Sequence, residues 1–276
     1  MARPVRQVAR WLAAVVILCP SDAHATWSIV AVDPTTREVG VAGASCIASA
    51  HVIAGIAPGR GVIAAQAIPS FALRDRGVAL LAEGASPRAV IAALTSPELD
   101  SFAGVDTSRL RQYGVAALGF EAEPAAFTGS WTFDWQSQAQ APGVSVQGNL
   151  LASPELAERA LAAFTAPPPA GAAALADRLL RALEAGAAAG GDARCLPEQA
   201  ALSAFLIVAA PGDPPASPSL HLVFPDDTGE WNSPLRLLAG ELAQRWRRWR
   251  GEPTERVPGD PERNPVRELR RRYEAR

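Results

Sequence analysis

Lysine is absent from the 276 residues, so apart from three histidines every basic side chain is an arginine. That absence excludes Schiff-base chemistry and any lysine-assisted nucleophile. The chain also lacks a basic field: 26 arginines stand against 28 acids for a formal net charge of -2, and nucleic acid is not an expected partner. Cysteine is scarce, limited to Cys19, Cys46 and Cys195. The cysteines and histidines do not fall at zinc-ligand spacing, no glycine-rich stretch matches a nucleotide fingerprint, and spacing assembles no Ser-His-Asp triad. No metal and no cofactor are therefore expected. No internal repeat is evident. The apolar run from Trp11 to Cys19 falls well short of the roughly 20 residues needed to cross a bilayer.

What is present is a 49% hydrophobic composition, ample for a sizeable core, behind a distinctive start. Arg3, Arg6 and Arg10 precede the short apolar run, and Ala23-His24-Ala25 follows it, the three parts of a secretory signal. Residues 1–25 read as a signal peptide cleaved after Ala25, giving a periplasmic or secreted protein with no transmembrane segment after cleavage. A membrane anchor is disfavoured by the length of the run, and lipid attachment at Cys19 by Leu18, where a small residue is wanted. Cleavage leaves Cys46 and Cys195 in a compartment that favours a disulfide. Closing a loop of about 150 residues stabilises a fold by up to about 5 kcal/mol in the chain-entropy model. Two unrelated buried thiols, or a reactive Cys46 with His51 as its base, are the alternatives.

Residues 26–33 are β-branched and aromatic and stop at Pro34, which reads as a strand opening the mature chain. Val39 to Ser45 completes a hairpin, and Gly61 to Ala67 is another buried strand. Helical spacing runs from Arg74 to Thr95. Short strands follow at Tyr113 to Phe120, Ala125 to Gly129 and Val144 to Gln147, then helices at Leu156 to Phe164 and Ala173 to Leu183. Strands recur at Ala201 to Ala210 and Leu220 to Phe224, with a last helix over Leu235 to Trp249. Ser86-Pro87, Ser153-Pro154 and Ser233-Pro234 mark helix starts, with Ser as N-cap and Pro at the first helical position. This order suits an α+β arrangement of two sheets covered by helices, one domain over 26–250. Residues 251–276 read as a charged, flexible tail. From residue 245 onward eleven arginines face six acids, which suggests either a solvated tail or contact with an anionic surface.

A cleavage site, a hydroxyl residue directly after it and a strand beginning there coincide at Thr26. Together they describe an N-terminal nucleophile. A free α-amine with an ordinary pKa of about 7.7 to 8.0 can take a proton near neutral pH, and it sits on the same residue as the attacking hydroxyl. Strand alternation places Ser28 on the same face roughly 7 Å along, whereas Asp33 has the opposite parity.

Thr26-Trp27-Ser28-Ile29-Val30-Ala31, Gly40-Val41-Ala42, Gln147-Gly148-Asn149-Leu150-Leu151 and Gly190-Gly191-Asp192 resemble the signature of the bacterial domain-of-unknown-function family 1028. That family is similar to N-terminal-nucleophile (Ntn) hydrolases, and the resemblance covers Thr26 to about Leu238. It implies a four-layer αββα sandwich of two mainly antiparallel sheets. Typical members expose the equivalent Thr by losing an initiator Met; here signal cleavage would do so. The chain departs from the pattern in having Phe127 before Thr128-Gly129, where a His is frequent, and Pro69-Ser70-Phe71 in place of an Asn-Pro and Tyr-Gly segment.

Beside Thr26, Asn149 can donate its amide to an oxyanion or serve as a turn residue next to Gly148. Asp192 can orient the α-amine or substrate, or cap a surface loop. Ser28 and Gln66 are candidate substrate contacts, although Gln66 also reads as a hydrogen-bonded core amide. His221, between Leu220 and Leu222, points to solvent. The expected function is an exported amide hydrolase or acylase acting on a small-molecule or peptide-like amide; the alternative is a catalytically silent binding domain. Homo-oligomerisation is left open. Edman sequencing of the exported protein should read Thr26 first, and any other first residue removes the nucleophile argument.

Overall fold

β1, Thr26–Val32, is buried at every position because both of its faces are covered. Trp27, Ile29 and Ala31 point to one side, and Thr26, Ser28, Val30 and Val32 to the other. This is the structural reason that residues 26–33 read as one continuous run rather than an alternation. The computed structural model describes residues 26–133, 135–167, 174–225 and 264–276. The expected signal segment and the expected helix from Leu235 to Trp249 lie outside the described residues.

β1 is central in a six-stranded antiparallel sheet. On one side lie β2 (Val39–Ser45), β11 (Ser203–Ala209) and β12 (Leu220–Phe224); on the other lie β10 (Val144–Asn149) and β9 (Ser137–Ala141). A four-stranded antiparallel sheet has the order β3 (Ala54–Ala57), β4 (Gly61–Ala67), β7 (Arg111–Ala117) and β8 (Ala125–Thr128). A separate two-strand ribbon pairs β5 (Ser101–Phe102) with β6 (Val105–Asp106). The two large sheets face each other through Val30, Val41, Val62, Ala64, Phe205 and Ile207.

α1 (Phe71–Ala82) and α2 (Pro87–Leu94) bury Leu73, Leu81, Val90 and Leu94 against the outer side of the four-stranded sheet, beside Ile63 and Val115. α3 (Leu156–Thr165) and α4 (Leu175–Ala188) bury Leu156, Phe164, Leu179 and Leu183 against the outer side of the six-stranded sheet, beside Trp27, Ile29 and Val146. The protein is thus α+β, with antiparallel sheets and five described helices. Gly186 on α4 is what admits Trp27: a Cβ there would lie 2.4 Å from the indole nitrogen. A helical glycine costs about 1 kcal/mol relative to alanine, and the close seating of the indole is the return.

Within the helical spacing expected over 74–95, α2 starts at Ser86-Pro87 as expected, with Ser86 as its cap, while α1, capped by Ser70, begins earlier at Phe71 and is parted from α2 at Gly84 with φ +88°. Two local readings change. Ser153 does not cap α3 directly; its Oγ accepts from Glu155 N and the helix begins at Leu156. β3 and β9 were not expected, because Ala-Gly-Ile-Ala is too short and Ser-Gln-Ala-Gln-Ala too polar to register as apolar strand patterns.

The largest departure is at the end of the chain, where a flexible tail was expected and Pro265–Glu274 forms a helix, α5. Asn264 caps it by accepting from Val266 N and Arg267 N, and Pro265 occupies the first turn. Val266, Leu269 and Tyr273 join the core under α4, while Arg270 bonds Asp177 and Glu184 of that helix. High charge density masked this helical spacing of apolar residues. Leu269 is fully buried. Leu269→Ala should therefore lower unfolding stability by about 2–5 kcal/mol in urea titration, whereas a detached tail would show no change.

Candidate functional site

The inner faces of the two sheets are apolar along one stretch and polar along the rest. The polar part is built by strand parity: Thr26 and Ser28 on β1, Ser45 on β2, Gln66 on β4, Gln112 on β7, and Ser145, Gln147 and Asn149 on β10. All are buried. In the sheet register Thr26 sits directly across from Asn149 on one side and Ser45 on the other. Its hydroxyl donates to Ser45 Oγ at 3.2 Å.

A hydrogen-bond network joins the sheets, and backbone carbonyls fix its direction. Gln66 Nε2 donates to Thr26 O at 3.1 Å, Gln112 Nε2 to Gly148 O at 2.9 Å, and Gln147 Nε2 to Ser28 O at 3.2 Å. A carbonyl can only accept, so the opposite oxygen of each glutamine must receive a donor. Gln112 Oε1 accepts from Gln66 Nε2 at 2.7 Å and Asn149 Nδ2 at 3.0 Å; Gln66 Oε1 accepts from Ser28 Oγ at 2.6 Å. Gln147 Oε1 accepts from Ser145 Oγ at 3.0 Å, and Thr128 Oγ1 passes the chain from Gln112 Nε2 to Gln138 Oε1. Within this array Asn149 Oδ1 is a buried acceptor with no partner among the described residues. Gly114 makes room for Gln147, since a Cβ there would lie 2.0 Å from Gln147 Oε1.

Two non-glycine residues with left-handed backbone follow site residues directly: Ala67 (φ +70°) after Gln66, and Leu150 (φ +50°) after Asn149. Each such conformation costs on the order of 1–3 kcal/mol and persists only where the surroundings over-determine it.

On the β2 side, Cys46 and Cys195 form a disulfide with a Cα–Cα distance of 5.7 Å, within the range expected of a bridge. A thiolate at Cys46 is thereby removed from the candidate chemistry. The bridge holds the segment carrying Asp192 against the end of β2. Asp192 Oδ2 accepts from Cys46 N at 2.6 Å and from Arg194 Nη2 at 2.8 Å, and Oδ1 accepts from Arg194 N and Nε. Arg194 Nη2 also reaches Ser45 Oγ at 3.5 Å.

The structure thus brings Thr26, Ser28, Gln66 and Asn149 into one network and sets Asp192 beside it through Ser45 and Arg194. Sequence reasoning did not single out Gln112, Gln147, Ser45 or Arg194 as site residues. Parity held the clue for Gln112, an amide in phase with Gly114 and Ala116 on a strand that is apolar from Gly114 to Ala117. Phe127, at the position where family resemblance leads one to look for a His, lies on the opposite face, its ring 6.3 Å from that of Tyr113. His221 is exposed as expected, and it lines a cavity of about 520 Å³ with His51, Phe71, Arg74, Val78 and Ile207. Thr26 is not part of that lining.

These features define an α+β protein with a buried amide-and-hydroxyl face at the end of its central strand. The chain belongs to the family of unknown function DUF1028, whose model matches residues 26–229. A crystal structure of a Silicibacter pomeroyi protein of the same family is similar, with a TM-score of 0.58 and 26% identity, covering 81% of this chain and 89% of that one. No curated protein matches the chain.

Gln112→Leu would leave Gln66 Nε2, Asn149 Nδ2 and Gly148 O short of a partner between the sheets. A loss of roughly 2–5 kcal/mol in chemical unfolding is expected, since each stranded buried group costs about 1–3 kcal/mol. An unchanged midpoint would mean that the network carries no stability.

Proposed function

We propose that the protein is an exported amide hydrolase or acylase of the N-terminal-nucleophile type, on a four-layer αββα scaffold in which α1–α2 and α3–α5 are the outer layers. The observation that carries this reading is the convergence on Thr26. It follows Ala23-His24-Ala25, opens the central strand, begins the family match, and turns its hydroxyl toward the inner polar face.

In the uncut chain the Thr26 nitrogen is an amide to Ala25, so the base does not yet exist. Cleavage after Ala25 converts it to an α-amine. The amine takes the proton of Thr26 Oγ1 as that oxygen bonds to the substrate carbonyl carbon. It then returns the proton to the leaving nitrogen as the C–N bond breaks, leaving an ester on Thr26 that water hydrolyses by the same proton route. Asn149 uses one Nδ2 hydrogen for Gln112 and has a second for the oxyanion. Its unpartnered Oδ1 is suited to hold the α-ammonium. Ser28 and Gln66 stand behind the nucleophile as positioning residues, and Asp192 acts through Arg194 and Ser45.

In the chain beginning at Thr26, an amine-sparing electrophile should label Thr26 Oγ1 by mass spectrometry and leave Thr26 of the uncut chain unlabelled. Thr26→Ala should abolish turnover, Thr26→Ser should retain part of it, and acetylation or a one-residue extension of the amine should abolish it. Asn149→Ala should lower kcat by roughly 100-fold to 1000-fold. Activity should rise with pH through an apparent pKa of about 7.7 to 8.0, because the base works only when neutral. Turnover by a chain with a blocked α-amine refutes the mechanism.

One observation favours a binding domain instead: Thr26 is 1% exposed, and the 520 Å³ cavity lies elsewhere, between the β3 edge and the β11–β12 edge. Ligand binding that survives Thr26→Ala and is lost on filling the cavity with Val78→Trp would select that reading.

A further inference from the structure

We propose that the cavity beside β3 is a docking lane for an extended polypeptide, taking about three consecutive uncharged, apolar residues as a further strand on the free edge of the four-stranded sheet. The proposal rests on the reading of that cavity as a binding site and holds whether or not Thr26 is a nucleophile.

The two facing sheets are unequal. Among the described residues the six-stranded sheet runs on through β11 to β12, whereas its partner stops at β3. Ile207 on β11 turns to the inner face and His221 on β12 lies beside it in register, so both look across a gap that no described strand fills. That gap is the cavity of about 520 Å³. Toward Thr26 the turn Ala50–Ile53 sits on β11, with Ala50 N donating to Ser203 Oγ.

The edge of β3 that borders the gap offers backbone groups. Leu118 N donates to Arg60 O just past the ends of β7 and β4. Antiparallel alternation from that pair turns the amides of Val62 and Ala64 toward β7, and those of Gly61 and Ile63 toward β3. Gly55 and Ala57 stand opposite Ile63 and Gly61, so the N–H and C=O groups of Ala54 and Ile56 point to the free edge. Ala54 N donates to His51 O within the turn, in keeping with that direction. Ile56 lines the cavity, and its N–H and C=O have no hydrogen-bond partner among the described residues. A donor and an acceptor on one residue of an open edge are what an added strand pairs with.

The walls define the ligand. A strand in this lane meets Ile207 and His221 on one face and Phe71 and Val78 of α1 on the other. Gly55 lets that helix come close, since a Cβ there would lie 2.6 Å from Val78. A strand covered on both faces carries consecutive apolar residues rather than an alternation, as β1 does. Arg74 is already held by Asp75, Val52 O and the Phe71 ring, which leaves the lining suited to an uncharged segment. A lane about 4.8 Å wide between layers about 10 Å apart takes roughly 160 Å³ per residue of about 3.3 Å rise, so the cavity holds about three residues.

The experiment titrates the full chain into fluorescein-labelled Gly-Val-Ala-Val-Gly-amide and follows anisotropy. Saturable binding is expected, weakened about 10-fold or more by Val78→Trp, which fills the lane, and by an Asp in place of the central Ala of the peptide. N-methylation of the peptide at successive residues should alternate in effect, with a loss of about 10-fold where the amide faces Ile56 C=O and little loss at the residues between. Ile56→Pro, a substitution that edge strands tolerate, should cost about 10-fold by removing the N–H. The N-methyl series uses the unaltered protein and decides the point even if that variant fails to fold. Equal binding of all N-methylated peptides, still lost in Val78→Trp, overturns strand pairing and leaves the cavity as an apolar binding site. Binding that survives Val78→Trp, or no saturable binding, overturns the lane altogether.

Discussion

Gln112 occupies the space between two sheets, where a glutamine survives only if both ends of its amide are satisfied. Its Nε2 is held by Gly148 O from one sheet and Thr128 Oγ1 from the other, and its Oε1 gathers Gln66 Nε2 and Asn149 Nδ2. Rotating any one amide by half a turn would set donor against donor or acceptor against acceptor. The orientation of Asn149, the residue paired with Thr26, is therefore decided by a carbonyl one residue earlier on its own strand, acting through a glutamine on the opposite sheet. Such a network raises specificity more than stability, since its groups were also hydrogen-bonded to water in the unfolded chain. It also leaves a signature. After the glutamines of the network have been accounted for, Asn149 Oδ1, across from Thr26, stands without a donor among the described residues.

The same constraint explains the division of labour along the strands. Toward the Val30 and Val41 end, the facing sheets meet through aliphatic groups that need no partners and carry the hydrophobic stabilisation. Toward Thr26 the contact is made by amides, with left-handed Ala67 and Leu150 stored next to it. A fold optimised only for stability would place valine where Ser28, Gln66 and Gln112 stand. Their cost is offset by the clusters under the helices and by the Cys46–Cys195 bridge, which bears directly on the loop that carries Asp192 and Arg194.

Much of the scaffold was legible in the sequence because it depends on local patterns. β1, β2, β4 and β12 follow from apolar runs and their breakers, and the disulfide from an even number of cysteines outside the expected signal segment. The candidate site was legible at Thr26, Ser28, Gln66 and Asn149 because motif and parity point to them. It was not legible at Gln112, Ser45 or Arg194, whose significance arises from pairings between β4 and β7, β1 and β2, and a loop some 150 residues away (149 for Ser45 to Arg194). α5 was missed for a different reason. Charge counting treats its arginines as solvated, whereas Arg270 is committed to Asp177 and Glu184 and Arg272 to Val223 O.

The fold and the family leave the reaction open, because one scaffold hosts many chemistries and the family carries no assigned activity. What narrows it is the kind of polarity around Thr26. Among the described residues no histidine, thiol or carboxylate touches the hydroxyl, and Thr26 Oγ1 donates to another hydroxyl. A hydroxyl whose partner is a second hydroxyl is a poor nucleophile, since a hydroxyl is a weak base at neutral pH. On the proposed reading, cleavage of the preceding peptide bond would create a base at no distance from that oxygen, and the α-amine of Thr26 rather than a side chain would take its proton.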